Sequence, residues 1–189
     1  MPLKITFEPN GRWTGGARIP SSLRDTSNLS EWIANFLKKF KKLGKTYRSY
    51  LGNDGKLVGQ EKANLVIGLD DLISGLLVLR MYVTKDNPSH FNALKNKYRF
   101  KYKIRMDITT WSGRGIINNR YKTDVSTFID WYNSVLIKKL KLVFVKYQEA
   151  MADKVLTDEE SIILIKFIEH VIFDVLVMER MLISNNVTT

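Results

Sequence analysis

The sequence repeats itself at a spacing of about 99 residues, and this repetition restricts the possible folds more than any other feature. Lys4–Phe7 matches Lys103–Met106, and Trp13–Ala17 matches Trp111–Gly115. Residues 32–47 then match 132–147, and residues 57–78 match 156–177. The spacing changes only between these blocks, where loops accept insertions, and never inside one. The sequence therefore predicts a duplicated structural unit.

Each copy predicts a strand followed by a glycine-rich turn. Apolar and polar residues alternate strictly from Phe100 to Ile108, which is typical of a half-buried strand. Residues 3–7 repeat the alternation more briefly in the first copy. Glycines at Gly15–Gly16 and Gly113–Gly115 then predict turns.

Two helices are predicted after each turn. The first is amphipathic, with large apolar residues on one side and lysines on the other, over Leu29–Leu51 and Ser126–Met151. The second is apolar almost all round, over Gly59–Val83 and Asp158–Ser184. Thr157 followed by residue Glu160 has the spacing of a capping box at the start of the last helix. A helix that is apolar on every side must be covered on every side.

We therefore expect a fold that is mainly α with a small β element. Two strand–helix–helix units related by a pseudo-twofold axis would form a four-helix bundle with a short ribbon or sheet. The expected divisions are residues 1–84 for the first repeat, 85–98 for a connector and 99–189 for the second repeat, with both repeats packed as one domain. Since duplications of this kind usually descend from symmetric dimers, a homo-oligomer also stays open.

The residue types present favour a protein that is not an enzyme. The chain has no Cys and only two His, His90 and His170, so thiolate chemistry is excluded and histidine catalysis or zinc binding is disfavoured. His170 lies among apolar residues and is expected to be buried. Carboxylates cluster only at Asp70–Asp71 and at Asp158–Glu160, where structural roles suffice. We expect no catalytic residue, no metal site and no cofactor.

No membrane segment or export signal is expected. The N-terminus has no long apolar stretch, and the most apolar stretch, residues 162–183, is interrupted by charges that would be costly inside a bilayer. The expected location is cytoplasmic.

Charge is the feature that points to a partner. Lys and Arg number 30 against 19 Asp and Glu, for a net charge of +11. Residues 95–146 hold thirteen of the cations and only three acids, whereas residues 150–189 are acidic. Clustered cations can neutralise phosphates and release counterions. The leading hypothesis is a non-enzymatic nucleic-acid-binding protein that uses a basic ribbon and basic helix faces, with DNA preferred over RNA.

The predicted contact residues are Arg99, Lys101, Lys103, Arg105, Arg114, Arg120, Lys38, Lys39, Lys138 and Lys139. The plan of a strand and two helices is similar to that of ribbon-helix-helix DNA binders, in which a two-stranded ribbon enters the major groove, but the similarity is one of topology alone. The main alternative is an assembly subunit that docks on an acidic protein. An enzyme with a substrate site between the units is a weaker third hypothesis.

The Trp-Thr/Ser-Gly segments have two interpretations. Their backbone amides could hold an anion, helped by a nearby residue such as Arg12 or Arg18. Alternatively, the tryptophans only fill the end of the helical bundle, which the sequence favours because no phosphate-binding signature follows the glycines.

Overall fold

The computed structural model describes residues 4–54, 59–84, 103–107, 109–117, 132–153 and 156–183. Within these residues the chain is mostly helical, with four helices and one antiparallel sheet of four strands. The expected fold class, mainly α with a small β element, is confirmed at this level. The connector at 85–98 lies outside the described residues, so the division of the chain into two repeats stays a prediction.

Two strands and two helices follow one another, and this order then occurs a second time. The elements are β1 (Thr6–Phe7), β2 (Arg12–Arg18), α1 (Leu29–Asp54), α2 (Gly59–Thr84), β3 (Lys103–Met106), β4 (Thr110–Ile116), α3 (Ile137–Ala150) and α4 (Asp158–Ile183). A π-helical turn, Tyr132–Leu136, leads into α3. A hairpin therefore precedes each pair of helices, where the sequence predicts a single strand.

The glycine-rich segments are strands, so the prediction of turns there is wrong. Gly15 and Gly16 lie inside β2, and they pair with β4 at the centre of the sheet. A Cβ atom on Gly16 would collide with the backbone oxygen of Trp111 on β4, and Gly15 has φ +143°. Glycine is required because the neighbouring backbone passes so close, and not because the chain turns.

The sheet has the strand order β1–β2–β4–β3. The two inner strands pair antiparallel with Gly15 opposite Gly113. Each outer strand pairs antiparallel with an inner strand and places an apolar residue opposite a tryptophan. Phe7 of β1 is opposite Trp13 of β2, and Met106 of β3 is opposite Trp111 of β4. The two hairpins therefore present the same arrangement on either side of the central pair.

One face of the sheet is packed against the helices. Trp13 and Trp111 are each 1% exposed, and their rings meet edge to face with centroids 6.4 Å apart. Trp111 Nε1 donates a hydrogen bond to Ser74 Oγ on α2 at 2.9 Å. Arg180 of α4 donates to the backbone oxygens of the β1–β2 turn at 3.1 and 3.3 Å. These bonds fix the sheet on the two central helices.

The strand alternation predicted from the sequence holds in β3. Lys103 and Arg105 are exposed, whereas Ile104 and Met106 are partly buried against the core. The rest of the predicted strand, residues 100–102 and 108, lies outside the described residues. Alternation follows because successive side chains of a strand point to opposite faces.

Helices α2 and α4 are the most buried helices in the described part of the chain. From Leu72 to Arg80 every residue of α2 is buried. Asp70 lies beside Glu179, and Arg80 interacts with the charge of Glu169, so the two helices run in opposite directions. Helix α1 packs against α2 and α3, and α3 packs against α4. The prediction that the second helices are covered on every side holds only for part of each helix, because Ile67 of α2 is 60% exposed and Ile163 of α4 is 47% exposed.

Aromatic rings join α1 to the turn that precedes α3. Phe40 stacks on Tyr132 with ring centroids 4.9 Å apart, and the Tyr132 hydroxyl donates to the Phe40 carbonyl at 2.7 Å. A Cβ atom on Gly44 would come within 2.9 Å of the Tyr132 ring. The two helices can therefore approach closely only because residue 44 has no side chain.

Helix ends agree closely with the sequence. The capping box of α4 is present: Thr157 N–H donates to Glu160 Oε1 at 2.9 Å, and Glu160 N–H donates to Thr157 Oγ1 at 3.2 Å. These bonds satisfy amides that lack a partner within the helix. None of the helices in the described part of the chain combines the length and apolarity needed to cross a membrane.

Candidate nucleic-acid interface

The face of the sheet opposite to the tryptophans is exposed and basic. Alternation along the strands gives this face the side chains at every second position, which are polar or small in most cases. We name its cations the cationic face: Arg12, Arg18, Lys103, Arg105 and Arg114, all exposed. Lys4, just before β1, is exposed as well.

The four strands contain no acidic residue. Among the residues described in and around the sheet, the nearest acids are Glu8 and Asp107, in the hairpin turns. Asp107 accepts hydrogen bonds from the amides and hydroxyls of Thr109 and Thr110 at 2.7–3.0 Å, which lower its pKa to about 2. Its carboxylate thus shapes the β3–β4 turn, and the positive charge on the strands is left without a counterion among them.

Three of these cations are crowded together. Lys103 lies directly opposite Arg114, and Arg105 lies opposite Ser112, two positions from Arg114. Directly opposed side chains have Cβ atoms about 5 Å apart, and diagonal neighbours about 7–8 Å. Like charges in these positions repel, so this arrangement costs folding free energy. A polyanion bound on the face would remove that cost.

The ten contact residues predicted from the sequence do not all lie on one surface. Lys103, Arg105 and Arg114 come together on the sheet, as described above. Lys38 and Lys138 are exposed on α1 and α3, helices that pack on α2, α4 and each other, whereas the sheet meets the helices mainly through α2. Three further predicted residues lie outside the described part of the chain: Arg99, Lys101 and Arg120.

Two predicted contact residues are directed inward. Lys139 Nζ forms an ion pair with Asp174 Oδ2 of α4 at 3.0 Å, and the Asp174 side chain is only 4% exposed. Burial raises the pKa of Asp174, and Lys139 opposes that shift. Lys39 is half-buried, and its charge lowers the pKa of Asp71 on α2 against the effect of burial. Both lysines thus stabilise carboxylates of the central helices.

Arg12 and Arg18 are members of the cationic face that the sequence analysis left out of its contact residues. They stand at the two ends of β2, where Arg12 is opposite Ile116 and Arg18 is opposite Thr110. The signal was present, because polar and core positions alternate from Arg12 to Arg18. Two adjacent glycines in the middle hid that alternation.

The Trp-Thr/Ser-Gly segments do not form an anion site. Trp13 and Trp111 are core residues between the sheet and the helices. The amides of Gly15 and Gly16 belong to a β-ladder, so they point along the sheet and do not converge on one point. The interpretation of these tryptophans as packing residues is the one that the geometry favours.

The remaining candidates for a site are the acidic residues and the histidine of the described helices. In the described ranges, no cluster of three or more His, Asp or Glu residues could hold a metal ion. His170 is exposed, so the expectation of a buried histidine is wrong. Asp70 and Glu179 form a close carboxyl pair, but Glu179 is fully buried between helices. We therefore treat this pair as part of the core.

Comparisons of the chain with family models, with curated proteins and with solved structures found no match. The cationic face therefore has to be interpreted from its own geometry.

Proposed function

We propose that the protein is a non-enzymatic nucleic-acid-binding protein and that the cationic face is its contact surface. One observation carries the proposal: the four strands hold five Lys or Arg and no acid, and every one of these cations is exposed on the same face. Lysine and arginine that neutralise phosphates release condensed counterions, which drives binding.

The energetics of the face support the same conclusion. Lys103 and Arg114 repel each other across the β3–β4 pair, and Arg105 adds to the repulsion. Among the described residues none of the three is in an ion pair. An arrangement that weakens folding is expected to serve binding, because phosphates would turn the repulsion into attraction.

The alternative, an assembly subunit docking on an acidic protein, is favoured by one observation. Ile116, which is 56% exposed, lies on the same face opposite Arg12. An apolar side chain at the surface is common at protein interfaces, but the centres of such interfaces are depleted of charge. The density of cations around Ile116 is therefore better matched to a polyanion.

A charge-matched pair of variants tests the proposal. The first variant carries Lys103→Gln, Arg105→Gln and Arg114→Gln. The control carries Lys41→Gln, Lys42→Gln and Lys45→Gln on the exposed side of α1, so both lose three charges. Binding to a duplex DNA is measured by fluorescence anisotropy across a series of salt concentrations.

The first variant should bind more weakly and should flatten the slope of log affinity against log salt by about 2–3 units, since each phosphate contact contributes about 0.9. The control should change the slope by less than about 1 unit. Thermal unfolding should show both variants folded. Equal effects of the two triple changes would mean that net charge alone binds DNA, and the proposal would be wrong.

We also propose that the two halves of the chain descend from one duplicated unit, and that their four helices form a pseudo-twofold bundle. Support comes from the sheet register. The repeat pairs Gly15 with Gly113, and these two residues lie opposite each other at the centre of the sheet, where an axis relating the halves would pass. An experimental structure in which residues 4–84 and 103–183 failed to superpose would contradict this proposal.

A further inference from the structure

Within the four described strands, the exposed face of the sheet carries no aromatic side chain. Proteins that bind single-stranded nucleic acids combine cations with exposed aromatic rings on which the bases stack. Here the aromatic residues of the four strands, Phe7, Trp13 and Trp111, belong to the packed face, and both tryptophans are 1% exposed. The exposed residues of the strands are Thr6, Arg12, Thr14, Arg18, Lys103, Arg105, Arg114 and Ile116, and Thr110 and Ser112 on the same face are half-buried. The exposed face of these strands therefore offers bases no ring to stack on.

The groups that this face does offer suit phosphates. Arginine presents a planar set of donors that matches two phosphate oxygens at once, and lysine adds a compact charge. Hydroxyls stand among them: Thr14 is opposite Arg114, and Ser112 is opposite Arg105. Hydroxyl groups donate readily to phosphate oxygens. The face is therefore a surface of hydrogen-bond donors.

The sheet is also too wide to enter a groove. Strands lie about 4.8 Å apart, so the axes of four strands span about 14 Å before side chains are counted. The major groove of B-DNA is about 12 Å wide. The two-stranded ribbon expected from the sequence would enter such a groove, whereas four strands must lie across it. Proteins whose sheets bind in the minor groove widen it by inserting apolar side chains between base pairs. Most of this face is polar, so we do not expect it to bind in that way.

The spread of the cations matches two backbones. Arg12 and Arg18 are six residues apart on β2, which corresponds to about 20 Å. Lys103 and Arg105 lie on β3, two strand spacings or about 10 Å to the side. Cations separated by these distances can contact phosphates on both sides of a groove of about 12 Å.

From these observations we infer that the cationic face binds the sugar–phosphate backbone of a double-stranded nucleic acid across a groove, without reading the base sequence. This inference rests on the proposed function and adds to it the form of the nucleic acid. The polar face, the width of the sheet and the two-dimensional spread of cations all lead to it.

The test compares a 20-base-pair DNA duplex with each of its separate strands, with a second duplex of unrelated sequence and with a 20-base-pair RNA duplex. Full-length protein is titrated against each labelled probe at the same salt concentration. We expect the DNA duplexes to bind at least about ten-fold more tightly than either strand and within about three-fold of each other. If the RNA duplex bound more tightly than the DNA duplexes, RNA would be the preferred double helix, and the inference would still be supported.

A second variant makes the test sharper. Ile116→Trp adds an aromatic ring to the exposed face without changing its charge and without removing a phosphate donor, because Ile116 is apolar and 56% exposed on that face. It should strengthen binding to the single strand about five-fold or more, because stacking contributes about 1–3 kcal/mol per base. Duplex binding should change little. A parent protein that binds single strands as tightly as duplexes would overturn the inference, as would a preference for one duplex sequence by ten-fold or more.

The two proposals fail in different ways. If single strands bind as well as duplexes and the triple change at Lys103, Arg105 and Arg114 still flattens the salt slope, only the inference about duplexes is wrong. If none of the nucleic acids binds, or if that triple change has no more effect than its control on α1, the proposed function itself is wrong.

Discussion

Helices α2 and α4 contact each other at two polar positions, and the two positions are filled in opposite ways. At one, the carboxyl groups of Asp70 and Glu179 face each other. At the other, ten residues further along α2, Arg80 interacts with the carboxylate of Glu169. Asp70 and Glu169 are 99 residues apart, as are Arg80 and Glu179, so the two positions differ in having an arginine where the other has a glutamate.

We infer that the carboxyl pair shares a proton near neutral pH. Burial raises the pKa of Asp70 to about 6, against a hydrogen bond with Glu179 that lowers it and with a smaller contribution from the charge of Asp71. Burial and the negative charge of Asp70 raise the pKa of Glu179 well above its usual range. In the described part of the chain, no N–H or O–H group reaches Asp70 Oδ1 or either oxygen of Glu179. A proton on Glu179 provides the missing donor, and Asp70 accepts the bond. Two buried carboxylates cannot both be ionised at small cost.

The acid–base position needs no such proton. Arg80 is 6% exposed and Glu169 is 4% exposed. Burial lowers the pKa of Arg80, and the negative charge of Glu169 opposes that shift. The negative charge of Glu169 therefore helps Arg80 to keep its proton. The comparison teaches that one packing arrangement can hold either an ion pair or a shared proton. Only the shared proton is expected to make stability fall as the pH rises through about 6.

The largest effect is expected at the acid–base position. Arg80→Met keeps a long side chain in place of the apolar stem of arginine, but it removes the positive charge that faces the buried Glu169. We expect the free energy of unfolding at pH 7 to fall by about 3–5 kcal/mol, because breaking one member of a buried pair leaves an uncompensated charge. Urea unfolding followed by circular dichroism measures the change.

A second substitution provides the control for that change. Adding Glu169→Met to Arg80→Met removes both charges and should recover most of the lost stability, since apolar replacements of both partners are often neutral. A loss below about 1 kcal/mol for Arg80→Met alone would contradict the view that these two groups depend on each other.

The carboxyl pair should respond in the opposite direction. Its folded-state pKa values are raised, so its contribution to stability is complete below about pH 4 and is lost as the pH rises through about 6 and above. Glu179→Gln supplies a permanent amide donor to Asp70. We expect this variant to be more stable than the parent protein by about 1–3 kcal/mol at pH 8 and nearly equal to it at pH 4.

The measurement is the free energy of unfolding in urea at several pH values from 4 to 9. Glu149→Gln on α3 serves as the matched control, because Glu149 is exposed and pairs only at the surface with Lys146. Its stability difference should not vary with pH in the same way. If Glu179→Gln destabilises the protein equally at every pH, no proton is shared there.

The smallest effects are expected at the outer helices. Lys139→Met removes the cation 3.0 Å from the buried Asp174 and should cost about 1–2 kcal/mol. Lys39→Met should cost about 0.5 kcal/mol or less, because Lys39 acts on the half-buried Asp71 without a close ion pair. Unfolding in urea measures both changes.

The same two variants sharpen the boundary of the binding surface. Neither Lys139→Met nor Lys39→Met should flatten the salt dependence of DNA binding as the sheet triple change does. If Lys139→Met left stability intact and weakened DNA binding strongly, Lys139 would belong to the contact surface and not to the core.

The helices could be predicted well from the sequence. Starts were expected at Leu29, Gly59 and Asp158, and these are the first residues of α1, α2 and α4. Helical periodicity, capping residues and apolar runs are local signals, so a short window of sequence contains them. The predicted start of the other helix at Ser126 lies outside the described residues.

The sheet could be predicted only in part. The strand at Lys103–Met106 followed from alternation, but β2 and β4 were expected to be turns because they contain adjacent or closely spaced glycines. Position 16 requires glycine because the backbone of Trp111, which is distant in sequence, leaves no room for a Cβ atom there. A contact between residues so far apart leaves no local pattern.

The candidate site shows the same limit. Alternation placed Lys103 and Arg105 on an exposed face, as found. It could not show that Arg114 lies opposite Lys103, since that depends on strand pairing. Nor could helical periodicity show that Lys139 reaches Asp174 while Lys138 stays in solvent, because both belong to one run of lysines beside apolar residues.

Three helix glycines allow side chains of neighbouring elements to pack directly against the helix backbone, and they also affect how easily each helix forms. Gly44 faces the Tyr132 ring, Gly68 faces Leu43 and Gly75 faces Phe36, all inside α1 and α2. Each costs about 1 kcal/mol of helix propensity relative to alanine. Helices α3 and α4 contain no glycine. We therefore expect α1 and α2 to depend more on their packing partners for stability than they would with alanine at these three positions.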